Sequence, residues 1–133
     1  MVSDPELELS VRPAPGAASV ARRALEGCRL VESEQEPTLL LLVTELVSNC
    51  VRHAGLHADE PIELRAHLGE DRAYVEVCDA ARSGTVPRKV EPEYEELRPG
   101  GLGLMLVDEM ADRWGVRCSD SHTCVWFELA CAV

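Results

Sequence analysis

The sequence feature that most constrains the fold is an apolar stretch from Thr38 to Ala54, TLLLLVTELVSNCVRHA. At about 100° per residue, most of its aliphatic side chains share one broad arc of a helix. Glu45, Asn49 and Arg52 share the opposite side, where Glu45 and Asn49 are stacked one turn apart. A helix this apolar must be packed inside the molecule, so its polar groups are costly unless a ligand, a metal or water lies in front of them. We therefore expect a central helix whose polar face borders the candidate active site.

The ends of this helix are also marked in the sequence. Pro37 suits a first helical turn, where the missing amide costs nothing, and Gly55 is a natural terminator. Leu41 and Leu42 fall on the polar side, which predicts that the first turns are buried all round. Taken alone, a carboxylate and a carboxamide at this spacing are more often solvated than functional. The chemical interpretation therefore depends on partners elsewhere in the chain.

Composition disfavours several classes of function. The 133 residues suit one domain, and 46% hydrophobic with 28% charged residues is typical of a globular protein. With 13 basic and 24 acidic residues the net charge is −11, which disfavours binding to nucleic acids and anionic membranes. The acidic first ten residues do not resemble a signal peptide, and the apolar run 39–43 is too short to cross a bilayer. We expect a protein that binds other proteins or a metal-nucleotide complex.

The cysteines give an expectation about the redox compartment. No C-x-x-C pair occurs among the six of them, which are Cys28, Cys50, Cys78, Cys118, Cys124 and Cys131. They are scattered through apolar helix and strand patterns, so we interpret them as buried, reduced thiols. The four histidines do not stand at zinc-finger spacing from them. A cytoplasmic location is consistent with this interpretation.

Periodicity and turn residues divide the rest of the chain into elements. The predicted elements are strand 6–11, helix 17–30, the helix 38–54, strands 62–68 and 72–78, a helix from the glycines at 100–103 to about 112, and strands 116–118 and 124–130. The first helix is expected to bury Val20 and Ala24, with Cys28 as a further candidate. Gly115 is expected to end the last helix. Gly69-Glu70-Asp71 predicts a hairpin between the two middle strands.

Asp79 directly follows the second strand of this hairpin. Alternation puts it on the same side as Val75 and Val77, so its carboxylate points toward the edge of the core if helices cover that side. Such a group needs a hydrogen-bond donor, and the exocyclic amine of a purine with a bridging water would supply one. The alternative is that Asp79 only begins a turn through a local hydrogen bond to the backbone.

A glycine-rich turn precedes the last helix. This turn places the backbone N–H groups of Gly101, Gly103 and Leu104 at a helix N-terminus, where they can approach an anion. The helix dipole also favours negative charge there. The ordinary alternative is a tight loop-to-helix turn, and the chain has no P-loop signature. Residues 80–100, before this turn, are polar with three prolines and an acidic run. A loop of that length is usually a lid or a binding loop.

These features occur in the order Glu45-x-x-x-Asn49, Asp79, the predicted lid, and Gly101-x-Gly103-Leu104. In that order they resemble the Bergerat-fold (GHKL) ATPases, the superfamily of gyrase, the ninety-kilodalton heat-shock chaperone, histidine kinases and mismatch-repair proteins. Within this superfamily, the chain is similar to bacterial anti-sigma-factor serine/threonine kinases and related ATP-binding regulators. The segments that carry this similarity are TELVSNCVRHA, GGLGLMLVDEMADRWG and VWFEL. The resemblance covers nearly the whole chain. It implies an α+β two-layer sandwich, a single ATPase domain over residues 1–133 with a mixed, mostly antiparallel sheet and helices on one face.

The resemblance also implies a role for individual residues. It makes Glu45 the general base, Asn49 a nucleotide-binding magnesium ligand, Arg52 a basic residue near the phosphates, Asp79 the adenine reader, and Gly101, Gly103 and Leu104 the phosphate-binding amides. The implied cofactors are ATP and Mg²⁺, and the implied reaction transfers the γ-phosphoryl group to a serine or threonine of a partner. The implied partners are a sigma factor and an anti-sigma-factor antagonist, or similar regulatory proteins. Relatives are often homodimers.

Two departures from the family pattern leave an alternative open. Relatives usually have the motif Asp-x-Gly-x-Gly, whereas this chain has Asp-Ala-Ala-Arg-Ser from Asp79. Gly84 stands one residue after the second glycine position of the motif. In the last strand, a threonine that relatives often place before the Val-Trp pair is replaced by Cys124, with Thr123 beside it. These changes favour the alternative of a non-catalytic module that holds ATP and acts by exchanging partners. A histidine-kinase fragment is disfavoured, because a dimerisation helix pair with a phosphoacceptor histidine does not fit in 133 residues.

Overall fold

The computed structural model describes residues 7–28, 35–52, 59–69, 71–80, 102–118 and 122–130. Its elements are β1 (Leu7–Val11), α1 (Ala17–Cys28), α2 (Glu36–Arg52), β2 (Ile62–Leu68), β3 (Arg72–Asp79), α3 (Leu102–Met110), β4 (Arg113–Cys118) and β5 (Thr123–Ala130). Every element predicted from the sequence is therefore present. None of the described helices is both long enough and apolar enough to cross a bilayer.

The strands form one sheet in the order β1-β2-β3-β5-β4. All four pairings in the described sheet are antiparallel, so the mixed sheet that we expected is antiparallel throughout these strands. Side chains alternate between a buried and a more exposed face, as along β5 from Thr123 to Leu129. Buried apolar residues of β1, β2, β3 and β5 and of all three described helices form one hydrophobic cluster. This arrangement confirms the predicted α+β two-layer sandwich.

The central helix α2 contributes most of the helical side of the core. Its buried side chains are Leu39, Leu42, Val43, Leu46 and Val47. The prediction that the first turns are buried all round is half right, because Leu42 is inaccessible to solvent whereas Leu41 is 39% exposed. Pro37 lies in the first turn, as predicted, where the helix needs no amide donor from it.

The buried face of α1 differs from the one that we expected. Ala17, Ala21 and Leu25 are buried, whereas Val20 is 49% exposed and Ala24 is only half-buried. The buried residues recur every four positions, which is the spacing of one helical face. The face of α1 that is buried therefore carries two alanines and a leucine, and the valine lies outside it.

The segment around Gly115 was predicted wrongly. We expected this glycine to end the last helix, but α3 ends at Met110 and Gly115 lies inside β4 opposite Trp126. A Cβ atom added at Gly115 would lie 2.8 Å from Trp126 Nε1, closer than real Cβ contacts come. Glycine is required here because the indole ring lies over the strand.

The interpretation of all six cysteines as reduced thiols was also wrong. Cys78 of β3 and Cys124 of β5 are directly opposite each other, and a disulfide joins them across a Cα–Cα distance of 4.0 Å. They are 46 residues apart in sequence, so only the register of the two strands reveals the pair. Both side chains lie on the sheet face opposite the hydrophobic core, since Val77 and Val125 occupy the core side of the same strands.

Candidate functional site

The C-terminal half of α2 carries three of the predicted site residues. Glu45 and Asn49 are both half-buried and lie one turn apart on the helix, as the spacing predicted. Among the residues that the structure describes, the Glu45 carboxylate makes no hydrogen bond or ion pair. A carboxylate that is half-buried and uncommitted in this way is suited to accept a proton from a bound hydroxyl group.

Asn49 and Arg52 are in direct contact at the end of the same helix. Arg52 donates a hydrogen bond from Nη2 to Asn49 Oδ1 over 2.7 Å. The guanidinium is exposed, and its position three residues along the helix lets it fold back onto the carboxamide. Asn49 Oδ1, the predicted metal ligand, therefore accepts a hydrogen bond from the Arg52 guanidinium in this structure.

Asp79 lies at the end of β3, on the side of the sheet that faces α2. Its carboxylate accepts a hydrogen bond from the Cys50 thiol, one residue after Asn49 on the helix. Burial, together with the negative charge and hydrogen bond of Asp79, raises the pKa of the Cys50 thiol well above its usual value. The thiol therefore stays protonated and remains a donor at neutral pH. This contact brings the predicted adenine reader to the central helix.

Thr123 is a site residue that the sequence motifs did not single out. It pairs directly with Asp79 across β3 and β5, so the two side chains share one face, and it is only 3% exposed. Cys124, which stands at the family's threonine position in the sequence, projects from the other face. The alternation of Thr123 with the buried Val125 and Phe127 was the signal that could have identified it.

The phosphate-binding turn is only partly within the described residues. Gly103 and Leu104 lie in the first turn of α3, and Leu104 packs against the hydrophobic core. α3 also contacts α2, so the helix with the glycine turn and the helix with Asn49 are neighbours. Gly101 and residues 81–100, the greater part of the predicted lid, lie outside the described residues.

Together these groups suit a nucleotide with a metal ion. The half-buried Asp79 carboxylate and the buried Thr123 hydroxyl stand side by side, with the core residues Val77 and Val125 two positions away on the same sheet face. A flat heterocycle with an amino group suits such a mixture of apolar and hydrogen-bonding groups. A carboxamide oxygen, a guanidinium and a helix N-terminus are groups that bind Mg²⁺ and phosphate. The donor set therefore fits ATP and Mg²⁺.

Comparisons with known proteins point to the same ligand class. Residues 8–129 match the histidine kinase-like ATPase domain family. The chain is also similar to serine-protein kinase RsbW of Listeria innocua, with 29% identity over 119 residues. That alignment covers 80% of this chain and 76% of the Listeria protein.

Proposed function

The chain belongs to the histidine kinase-like ATPase domain family, and on that premise we propose that it is an ATP-binding regulator with serine/threonine protein kinase activity. In this proposal it binds a sigma factor or a similar transcription regulator and phosphorylates an antagonist protein in the cytoplasm. The observation that carries the proposal is the position of Asp79. Its carboxylate lies at a strand end, opposite Thr123 and against Cys50 of the central helix.

Adenine recognition rests on this carboxylate. Asp79 accepts from the Cys50 thiol, and an ionised carboxylate has about four acceptor sites, so an exocyclic amine suits it as a further donor. Thr123 adds a hydroxyl group that both donates and accepts. Val77 and Val125 of the hydrophobic core neighbour the pair on the same sheet face, which favours burial of a flat ring. A guanine base carries a carbonyl in place of the amine and is rejected by the carboxylate.

The phosphates and the acceptor hydroxyl would meet the polar face of α2. Asn49 would hold Mg²⁺, and Arg52 with the backbone amides of Gly101, Gly103 and Leu104 would hold phosphate oxygens. Bound Mg²⁺ neutralises the charge that develops on the transferred group. Glu45 would orient and deprotonate the serine or threonine hydroxyl of the partner.

The similarity to a serine-protein kinase supports phosphoryl transfer over simple nucleotide binding. A second candidate function is a non-catalytic module that holds ATP and acts by exchanging protein partners. The hydrogen bond from Arg52 to Asn49 Oδ1 favours it, because that oxygen must be released before it ligates a metal. The altered glycine box after Asp79 also favours it.

Thermal unfolding with and without Mg-ATP tests the nucleotide site. At a hundredfold excess over Kd, ligand binding adds about 2.7 kcal/mol to stability, which is about 10 °C in Tm for a chain of this size. Asp79→Asn should lose most of this shift. Asp71→Asn, in the exposed turn before β3, is the matched control and should keep it. Identical melting curves for the wild type at millimolar Mg-ATP would refute the proposal.

Phosphotransfer separates the two candidate functions. Partners are captured with the full chain as bait and then incubated with Mg-ATP labelled on the γ-phosphate. The kinase transfers label to a serine or threonine of a captured protein. A protein that binds Mg-ATP and transfers no label to any captured partner is the partner-exchange module.

A further inference from the structure

We propose that Cys78 and Cys124 form a reversible thiol–disulfide exchange site that controls nucleotide binding, with a protein or small-molecule dithiol as the reductant. The chemistry of this site is independent of the proposed function. Its effect on nucleotide binding rests on that function.

The two cysteine residues differ in their exposure to solvent. Cys78 is only 3% exposed, whereas Cys124 is half-buried on the face of the sheet away from the core. A nucleophile arriving from solvent therefore reaches the Cys124 sulfur first. Cys78 becomes the leaving group of the exchange reaction, since the attack displaces the sulfur that is not approached.

The surroundings of Cys78 favour its departure as a thiolate. Arg65 Nη1 lies 4.0 Å from Cys78 Sγ. The nearby Glu76 carboxylate is bound by two guanidinium groups, those of Arg65 at 3.2 Å and of Arg117. Arg65 Nε also pairs with Glu8 at 3.3 Å, so two carboxylates balance the two guanidinium groups, and the Arg65 guanidinium itself contacts the leaving sulfur. A cation lowers the pKa of a thiol, and a thiol of lower pKa leaves faster.

The exchange proceeds in two balanced steps. A thiolate of the dithiol attacks Cys124 Sγ, the Cys78–Cys124 bond breaks, and Cys78 leaves with the electron pair beside Arg65. The second thiol of the reductant, after losing its proton, attacks the reductant sulfur of the mixed disulfide and releases Cys124 as a thiolate. The protein pair gains two electrons, and the dithiol becomes a disulfide.

The disulfide is one residue away from the proposed adenine-binding pair. Asp79 and Thr123 are the next cross-strand partners beyond Cys78 and Cys124, on the opposite face of the sheet. Both pairs lie at the same end of β3 and β5, so the bond holds together the strand ends that carry Asp79 and Thr123. Breaking the bond lets these strand ends move apart more easily. This raises the cost of ordering the pair around a nucleotide, so reduction should weaken nucleotide affinity by about fivefold.

A metal site is the competing use of the reduced pair. Ligand atoms of Glu76, Cys78 and Cys124 lie within 4.8 Å of one another. Glu76, however, is already bound by Arg65 and Arg117, and a carboxylate neutralised twice is a poor metal ligand. We therefore favour exchange chemistry at this cluster.

The exchange site is tested by its rate of reduction. The oxidised wild-type chain is treated with dithiothreitol at pH 7 with a chelator, and quenched samples are analysed for the cross-linked Cys78–Cys124 peptide by mass spectrometry. Arg65→Gln should slow reduction by about three- to tenfold, and Arg65→Lys should restore most of the rate. Arg72→Gln, which removes an exposed arginine of the same face paired with Glu128, is the matched control. An absent cross-link in the air-oxidised wild type, or equal rates for wild type and Arg65→Gln, would overturn the proposal.

Nucleotide binding tests the control function. Calorimetry with Mg-ATP should give a Kd about fivefold weaker for the reduced than for the oxidised chain. Cys78→Ser/Cys124→Ser should bind as weakly as the reduced protein under both conditions, whereas Cys28→Ser/Cys131→Ser should keep the redox response.

Equal affinities of the two forms overturn the control function and leave the nucleotide site intact. Absence of binding in both forms refutes the proposed function and the control together, while the reduction rates still decide the chemistry. A reduced chain that retains one equivalent of added Zn²⁺ through these cysteines would establish the metal site instead.

Discussion

The Arg52 guanidinium donates to Asn49 Oδ1 across 2.7 Å, so the proposed metal ligand is already paired with a cation on its own helix. The two residues stand three positions apart near the C-terminus of α2, where a basic side chain is also favoured by the helix dipole. If Asn49 binds Mg²⁺, the metal and the guanidinium compete for one oxygen. Because of this competition, the Mg²⁺ concentration needed for ATP binding should depend on Arg52.

Arg52→Ala should lower the Mg²⁺ concentration that half-saturates ATP binding, by about fivefold for a lost hydrogen bond of about 1 kcal/mol. ATP affinity at saturating Mg²⁺ should fall at the same time, because a phosphate-binding cation is lost. Titration calorimetry at several Mg²⁺ concentrations separates the two effects. Arg22→Ala, on the exposed side of α1, serves as the control. A higher Mg²⁺ requirement in Arg52→Ala would contradict competition at Asn49.

Glu45→Gln should leave the Kd for Mg-ATP within about twofold and should reduce phosphotransfer to a captured partner by about a hundredfold to ten-thousandfold. The amide keeps the size of the side chain but accepts no proton. Radiolabel transfer under single-turnover conditions gives the rate, and calorimetry gives the affinity. Glu109→Gln, on the exposed side of α3, should change neither. An unfolded Glu45→Gln chain would instead show that the carboxylate is a structural group.

Asp79→Asn should weaken ATP binding by about tenfold to a hundredfold, the loss of one charge-assisted hydrogen bond. It should also narrow the preference for ATP over GTP, because the neutral amide presents both a donor and an acceptor to the base. Competition binding with the two nucleotides measures this preference. Unchanged selectivity in Asp79→Asn would place adenine recognition elsewhere.

Reduction of the Cys78–Cys124 bond should lower the free energy of unfolding by about 2–4 kcal/mol, because the bond closes a loop of 46 residues in the unfolded chain. Urea titrations with and without dithiothreitol measure the difference. The double serine variant should match the reduced wild type and should not respond to the reductant. A reduced wild type as stable as the oxidised form would show that the cross-link adds no stability.

Gly115→Ala should destabilise the fold by about 1–3 kcal/mol, because the added methyl group meets the Trp126 indole at 2.8 Å. In a Trp126→Phe background the same substitution should cost less, since the smaller ring lacks the contacting nitrogen. A double-mutant cycle by urea unfolding measures the coupling between the two positions. Additive effects would mean that the ring moves aside without cost.

Local patterns in the sequence determined the elements and the faces of the strands. The alternation along 72–79 placed Asp79 on the core side, because successive side chains of a strand point to opposite faces of the sheet. The aliphatic arc of α2 correctly identified Leu39, Val43, Leu46 and Val47 as buried, because the apolar face of a helix follows its period of 3.6 residues.

Contacts between distant segments were decided only by the tertiary structure. The pairing of Cys78 with Cys124, and of Asp79 with Thr123, depends on the register of β3 against β5, which no local pattern specifies. Packing likewise selected the alanine side of α1, leaving Val20 exposed, and it placed Trp126 over Gly115. Periodicity determines which residues share a face, whereas register and shape complementarity determine which faces and residues meet.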